Sequence, residues 1–214
     1  MKNLFSALPL LAVLLIAGPA SADSAIALVT AVDGKVSRIA PAGPEAVQPF
    51  SKLKPGELLA LEKGARIRIV FFSSKRQESW SGSGKLEITA AEGKGQGLAA
   101  AEVKTLPDVL VKQIARTPSL DNQGRVGMVR LRSLGTPDAV AKLENNYRQL
   151  RAETAADDLN PEIFLLAGLL ELRQLDQLEK RLTELPALHP DNMEAKVLAA
   201  LYQKTLNNLR ESGK

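Results

Sequence analysis

The sequence predicts an α+β protein in two parts, an all-β N-terminal domain followed by an α-helical C-terminal domain. Short apolar runs separated by glycine and proline turns fill the first half, which is typical of a β-sandwich or a short β-solenoid. From Thr136 onward the apolar residues recur at helical spacing instead. The predicted divisions are a leader (1–22), a β domain (23–104), a connector (105–135) and a helical domain (136–214).

The first 22 residues have the three parts of a secretory signal peptide. Lys2 supplies the positive start, the run from Leu4 to Ala17 is nearly all apolar, with Pro9 inside it, and Ala20-Ser21-Ala22 is a small-x-small cleavage site. The apolar run is about 14 residues long, whereas a bilayer span needs roughly 17 to 25. We therefore expect cleavage after Ala22 and a soluble periplasmic protein that begins at Asp23.

The β domain begins with two runs rich in β-branched residues, Ala25–Val32 and Lys35–Ile39, on either side of Asp33-Gly34. An Asp-Gly pair in this setting predicts a hairpin with a type I′ turn, which needs positive φ at both central residues. The proline-rich segment 40–49 is predicted to be a loop, and Pro55-Gly56 a turn before a strand at Leu58–Leu61.

A longer strand is predicted over residues 65–72 from strict alternation. Ile67, Ile69 and Phe71 face one side, whereas Arg66 and Arg68 face the other. Ser73-Ser74-Lys75 is predicted to turn the chain, and strands are predicted at 77–80 and 85–90. Between and after these strands, the glycine-rich segments 81–85 and 93–97 are predicted to be a turn and a loop.

Within the connector, residues 109–135 carry five basic residues and one acidic residue. This charge either steers an acidic partner or only solvates the segment. Val109, Val111 and Ile114 form a short amphipathic pattern near its start.

The helical domain has clear start signals. Thr136 is a predicted N-cap followed by Pro137, and an apolar stripe then runs from Val140 to Leu150. Asn160-Pro161 predicts the next start. A third helix is expected to end at Pro186, and a last one to open at Pro190.

Pro161 and Pro190 lie 29 residues apart with two short helices between them. This arrangement resembles a tetratricopeptide-type helical hairpin, whose usual period is about 34 residues. A plain helical bundle docked on the β domain is the alternative.

The β region resembles the FecR-like periplasmic domain over roughly residues 27–92. The resemblance rests on four patterns: Val29-x-x-Val32-x-Gly34-x-Val36, Leu53-x-x-Gly56-Glu57-Leu58, Gly64-Ala65-x-Ile67-x-Ile69 and Gly84-x-Leu86-x-Ile88. It implies a non-catalytic exported module that acts through contacts. Transmembrane regulators of this family carry a span before the domain, and here a cleavable leader stands instead, so their relay to a sigma factor is not implied.

Composition removes several classes of chemistry. The chain has no cysteine and a single histidine, His189, so thiol chemistry and sites with two imidazoles are excluded. Aromatic residues make up 4%, too few for a base-stacking surface. Asp157-Asp158 could hold calcium or act as acid and base, but its place before a predicted helix favours a loop and capping role. We therefore predict no enzyme activity, no cofactor, no metal and no nucleic-acid binding.

The candidate partner-binding residues are Trp80, Arg66 and Arg68. Trp80 either packs in the core or anchors a partner at a strand end, and the arginines either face a partner or only solvent. The predicted function is an exported, non-enzymatic protein-binding or scaffold and sensory module of the bacterial cell envelope, with another envelope protein or peptide as partner. An envelope carbohydrate-binding protein that uses Trp80 is the alternative, and an unrecognised hydrolase is a third. The sequence does not indicate an oligomeric state.

Overall fold

The computed structural model describes residues 24–119 and 136–212. A curled antiparallel sheet is followed by a helical region, so the predicted two-part α+β fold is confirmed. The predicted leader, together with residues 120–135 of the predicted connector, lies outside the described residues.

Within the described residues the sheet has eight strands, all joined by antiparallel pairing. In chain order they are β1 (Ala27–Asp33), β2 (Val36–Ala40), β3 (Gly43–Ala46), β4 (Lys52–Leu53), β5 (Leu58–Phe71), β6 (Arg76–Ile88), β7 (Gly93–Leu98) and β8 (Glu102–Thr105).

The long hairpin of β5 and β6 organises the sheet. One edge of β5 carries β1 and β2, and the far edge of β6 carries β7 and β8. The turn at Ser73–Lys75 is confirmed, since Phe71 lies opposite Arg76 and Lys75 has a φ of 57°.

The predicted hairpin at Asp33-Gly34 is wrong. β1 and β2 do not pair with each other; both pair with β5, at Arg66–Phe71 and Leu59–Leu61 respectively. Gly34 has a φ of 74° but Asp33 has no positive φ, so no type I′ turn forms. A Cβ on Gly34 would lie 3.0 Å from the Ala65 Cα, so the glycine serves a close backbone approach where β5 bends.

Three predicted loops or turns are also strands. The segment 40–49 contains β3, the segment 81–85 lies inside β6, and the segment 93–97 lies within β7. Likewise the runs at 58–61 and 65–72 belong to one strand, β5, with a register irregularity between Leu61 and Ala65. Local turn signals failed because long-range pairing with neighbouring strands overrides them.

The described residues include five helices. They are α1 (Asp108–Ile114), α2 (Pro137–Ala152), α3 (Asn160–Glu171), α4 (Leu175–Leu188) and α5 (Met193–Ser212). None of them combines the length and the apolar character that a bilayer crossing requires.

The helix boundaries confirm some predictions and correct others. Thr136 caps α2, because its Oγ1 accepts a hydrogen bond from the Ala139 amide at 3.3 Å. Pro186 does not end α4, which continues to Leu188, because the proline removes one amide donor while the His189 amide still donates to the Leu185 oxygen at 3.2 Å. Pro190 does not open α5 either; Asn192 precedes that helix, and its Oδ1 accepts from the Ala195 amide at 2.9 Å.

The fold has two cores that share the sheet. Ile67, Ile69 and Phe71 are buried in the core inside the curled sheet, as predicted. On the opposite face, Leu28 and Val70 pack with the helices in a second core, in which all of α3 except its last residue is buried. The end of β5 is therefore covered on both faces, and the helices are fixed against the sheet.

Candidate functional site

A cleft of about 740 Å³ lies where the sheet meets the helices. Its floor is the outward face of β5 and β6 near Arg66 and Arg68. Its wall is formed by Asp157 and Asp158, in the loop between α2 and α3, and by Asn192 and Glu194 at the start of α5.

Strand register sets the order of side chains on the floor. Asp33, Arg66 and Ser81 lie opposite one another on β1, β5 and β6. The next row runs through Ala31, Arg68, Ser79 and Glu102 on β1, β5, β6 and β8. The alternation predicted for β5 thus places both arginines at the cleft.

Arg68 joins the floor to the wall. Its guanidinium nitrogens lie 3.8 Å from the carboxylates of Asp157 and of Asp158. These distances exceed a hydrogen bond, so the attraction is one of charge. The Arg68 side chain keeps 25% of its exposure and is only partly solvated.

Arg151 holds the loop that bears the two aspartates. Its guanidinium donates to the main-chain oxygens of Thr154 and Asp158, each at 2.9 Å, and to the Glu162 carboxylate at 2.9 Å. Burial raises the pKa of Tyr147, as does the charge of Glu162, and the neutral phenol donates to Glu162 at 3.3 Å. Sequence patterns did not identify Arg151 and Glu162, although their positions at the end of α2 and the start of α3 flank the loop.

Two further hydrogen bonds join the helical region to the sheet. The Asn160 side-chain amide donates to the Gln77 Oε1 at 2.5 Å, and both residues are buried. The Val32 amide donates to the Glu194 carboxylate at 3.4 Å. Together with Arg68, these contacts fix the width of the cleft.

Arg66 remains available to a partner. It is exposed and lines the cleft, and within the described residues no carboxylate forms an ion pair with it. Of the two predicted contact arginines, Arg68 is paired with Asp157 and Asp158, whereas Arg66 has no ion-pair partner in the part of the chain that the structure describes.

The Trp80 indole occupies the core inside the curled sheet. Trp80 lies opposite Ile67, on the face away from the arginines, and is 8% exposed. Its Nε1 donates at 3.0 Å to the buried Glu78 carboxylate, which also accepts from the Gly93 amide at 2.9 Å. The indole thus packs in the core, the first of the two roles predicted for it, and Trp80 is also among the residues that line the cleft.

Asp158 has the local role expected before a helix, because its carboxylate accepts from the Asn160 amide at 3.1 Å. His189 lies 3.8 Å from the Glu162 carboxylate, away from the cleft lining. In the described part of the chain, no group of three or more histidine or acidic side chains is placed to hold a metal ion.

The cleft presents both signs of charge. Besides Arg66 and Arg68, the cleft is lined by acidic residues from four parts of the fold, namely β1, β8, the loop between α2 and α3, and the start of α5: Asp33, Glu102, Asp157, Asp158 and Glu194. Such a surface suits a polar partner that both donates and accepts charge-assisted hydrogen bonds.

Comparison with known proteins gives no match to a family, a curated protein or a solved structure.

Proposed function

We propose that this protein is a non-enzymatic binding or scaffold module of the bacterial cell envelope, and that the cleft between the sheet and the helices holds a segment of a partner protein. The observation that carries the proposal is the exposed Arg66 on the floor of a cleft of about 740 Å³. A cavity of this size is sufficient for several residues of a polar peptide.

A peptide suits this cleft better than a sugar. Sugar-binding surfaces gain much of their affinity by stacking the ring on an aromatic side chain. Trp80 is among the residues that line the cleft, but it is only 8% exposed and its indole packs in the core inside the curled sheet. The cleft offers instead arginines, carboxylates and the hydroxyls of Ser79 and Ser81. These groups match the side chains and main-chain groups of a peptide.

The envelope location rests on the sequence. The first 22 residues have the pattern of a cleavable leader, and residues 27–92 resemble the FecR-like domain, whose members act through contacts outside the cytoplasm. The helical region, with its resemblance to tetratricopeptide hairpins, supplies one wall of the cleft.

Export is tested by the mass of the mature protein. Purified from the producing cell, the protein should begin at Asp23 and fractionate with soluble periplasmic contents. Full-length protein in washed membranes would contradict this part of the proposal.

The binding proposal is tested by photo-crosslinking in intact cells. A photo-reactive amino acid at Ser81 should capture a discrete protein partner, because Ser81 is exposed on the cleft floor. The same group at Lys180, exposed on α4 and outside the cleft lining, is the matched control. Capture of glycan at Ser81, or equal capture at both positions, would refute the proposal.

A further inference from the structure

The outer edge of β8 is a strand edge available for pairing. Among residues 24–119 and 136–212, Glu102–Thr105 pair with a strand on one side only, that of β6, and all four residues are exposed. Val103 is 49% exposed, so an apolar side chain is accessible beside this edge. Such an edge is a template for a further strand.

The hydrogen-bond pattern shows which main-chain groups point outward. The Leu106 amide donates to the Lys75 oxygen at 2.9 Å, and Thr105 lies opposite Arg76. Because bonded and non-bonded pairs alternate along an antiparallel ladder, Glu102 and Lys104 bond toward β6. The N–H and C=O groups of Val103 and Thr105 therefore point away from the sheet.

The charges on this edge have no partner within the described residues. Glu102 and Lys104 form none of the ion pairs found there, although each is exposed beside Val103. One of these charges is negative and the other positive, two residues apart on the same face of the strand.

We infer that β8 pairs antiparallel with β8 of a second copy of this chain, about a two-fold axis that passes beside Val103. In this register, Val103 bonds to Val103 of the second copy through the outward N–H and C=O groups. Each Glu102 then lies directly opposite Lys104 of the other copy, in the closely spaced non-bonded positions where opposite charges attract.

Neighbouring registers are disfavoured by charge. The outward N–H and C=O groups of Val103 and Thr105 must face the same outward groups of the second copy. The register between the two β8 strands can therefore change only in steps that keep these residues opposite each other or opposite other outward-pointing residues. One such slip places Glu102 opposite Glu102, and the other places Lys104 opposite Lys104. A lysine on an edge strand usually opposes pairing with a second copy, but here the central register turns it into an attraction.

This inference goes beyond the proposed function, since a dimer through β8 requires no ligand in the cleft. Glu102 lines the cleft as well, whereas Val103 and Lys104 do not. Variants at Val103 and Lys104 therefore test the dimer separately from partner capture.

The first test is the mass of the purified protein by sedimentation equilibrium over a concentration series. The wild-type protein should show a reversible monomer–dimer equilibrium. Val103→Pro should be a monomer, because proline removes an outward N–H without breaking a bond to β6. Lys85→Glu, a charge reversal elsewhere on the sheet, should dimerise like wild type. A wild-type protein that remains monomeric at every concentration overturns the inference.

The second test is a charge-reversal cycle that reports the register. Glu102→Lys and Lys104→Glu each place like charges opposite each other, and each should raise the dissociation constant about tenfold. The double variant restores the attraction and should return to the wild-type constant, and the two single variants mixed together should form a heterodimer. Circular dichroism should show all variants folded. Single charge reversals that leave the dissociation constant of the dimer unchanged would contradict this register. A double variant that dimerises more weakly than both single variants would contradict it as well.

Discussion

Ile69 and Arg68 are neighbours on β5 whose side chains face opposite sides of the sheet. Ile69 is fully buried in the core inside the curl, so Ile69→Ala should cost about 2 to 5 kcal/mol through lost transfer energy and the cavity left behind. Arg68→Ala should cost only about 0.5 kcal/mol, because charge pairs that remain partly solvated contribute little. Chemical denaturation of both variants measures the two values.

If Arg68→Ala and Ile69→Ala lost the same free energy of unfolding, Arg68 would support the fold as strongly as the buried Ile69 does. That result would contradict its assignment to the cleft floor.

Gly95 is a residue whose small size has a specific cause. A Cβ at this position would lie 2.5 Å from Cζ3 of the Trp80 ring, which is held by its bond to Glu78. Gly95→Ala should therefore destabilise the protein by about 1 to 3 kcal/mol and change the fluorescence of the single tryptophan.

Lys94→Ala is the matched control, because Lys94 is an exposed neighbour on the same strand and should have little effect. If Gly95→Ala is as stable as wild type, the close packing of the ring on β7 is wrong.

The strands illustrate what local sequence predicts and what it does not. The alternation of Ile67, Ile69 and Phe71 predicted a buried face correctly, because period-two patterning depends on nothing beyond the strand itself. Asp33-Gly34 predicted a hairpin that does not form. The turn preference of this dipeptide is local, and the pairing of β1 and β2 with the long strand β5 overrides it. The glycine-rich sequence of β7 was predicted to be a loop. Gly93 and Gly95 have no room for a side chain because they lie against the Trp80 ring, which is distant in sequence, so local patterns do not reveal it.

A bidentate ion pair joins the helices α4 and α5. The Arg210 guanidinium donates to the two carboxylate oxygens of Glu179 at 2.7 and 3.0 Å. This contact lowers the pKa of Glu179 below its ordinary value of 4.5. A lowered folded-state pKa means that the contribution is complete above the unfolded-state value and is lost as the pH falls through the folded-state value.

We therefore expect Glu179→Gln to lower the unfolding midpoint slightly at neutral pH and to have no effect in strong acid. Thermal unfolding at several pH values measures this difference. If the difference in unfolding midpoint between wild type and Glu179→Gln persists unchanged at a pH where the carboxylate is protonated, the ion pair is not its cause.

At the scale of the whole molecule, the sheet and the helices share a core. Leu28 and Val70 project from the sheet into the helical core, so neither part retains its packing without the other. Tryptophan fluorescence, which reports the core inside the sheet, and circular dichroism of the helices should follow one coincident unfolding transition. Val70→Ala should shift both signals together by about 0.5 to 3 kcal/mol. Two separate transitions would mean that the parts fold independently.

The candidate site depends on this shared core, which limits its prediction from sequence. Arg66 and Arg68 could be identified because both lie on one alternating strand. Asp157 and Glu194 come from distant helical segments, and only the docking of the helices on the sheet brings them to the cleft. Local patterns carry no information about that docking.

In the proposed function, the cleft holds a partner protein through Arg66. The most direct measurement is the amount of partner crosslinked at Ser81 in intact cells when Arg66 is replaced by glutamate. We expect Arg66→Glu to reduce capture at least about tenfold, because a favourable charge contact becomes a repulsion. Lys142→Glu, the same charge change at an exposed position outside the cleft lining, should leave capture unchanged. Undiminished capture by the Arg66 variant, or an equal loss in both variants, would contradict the claim.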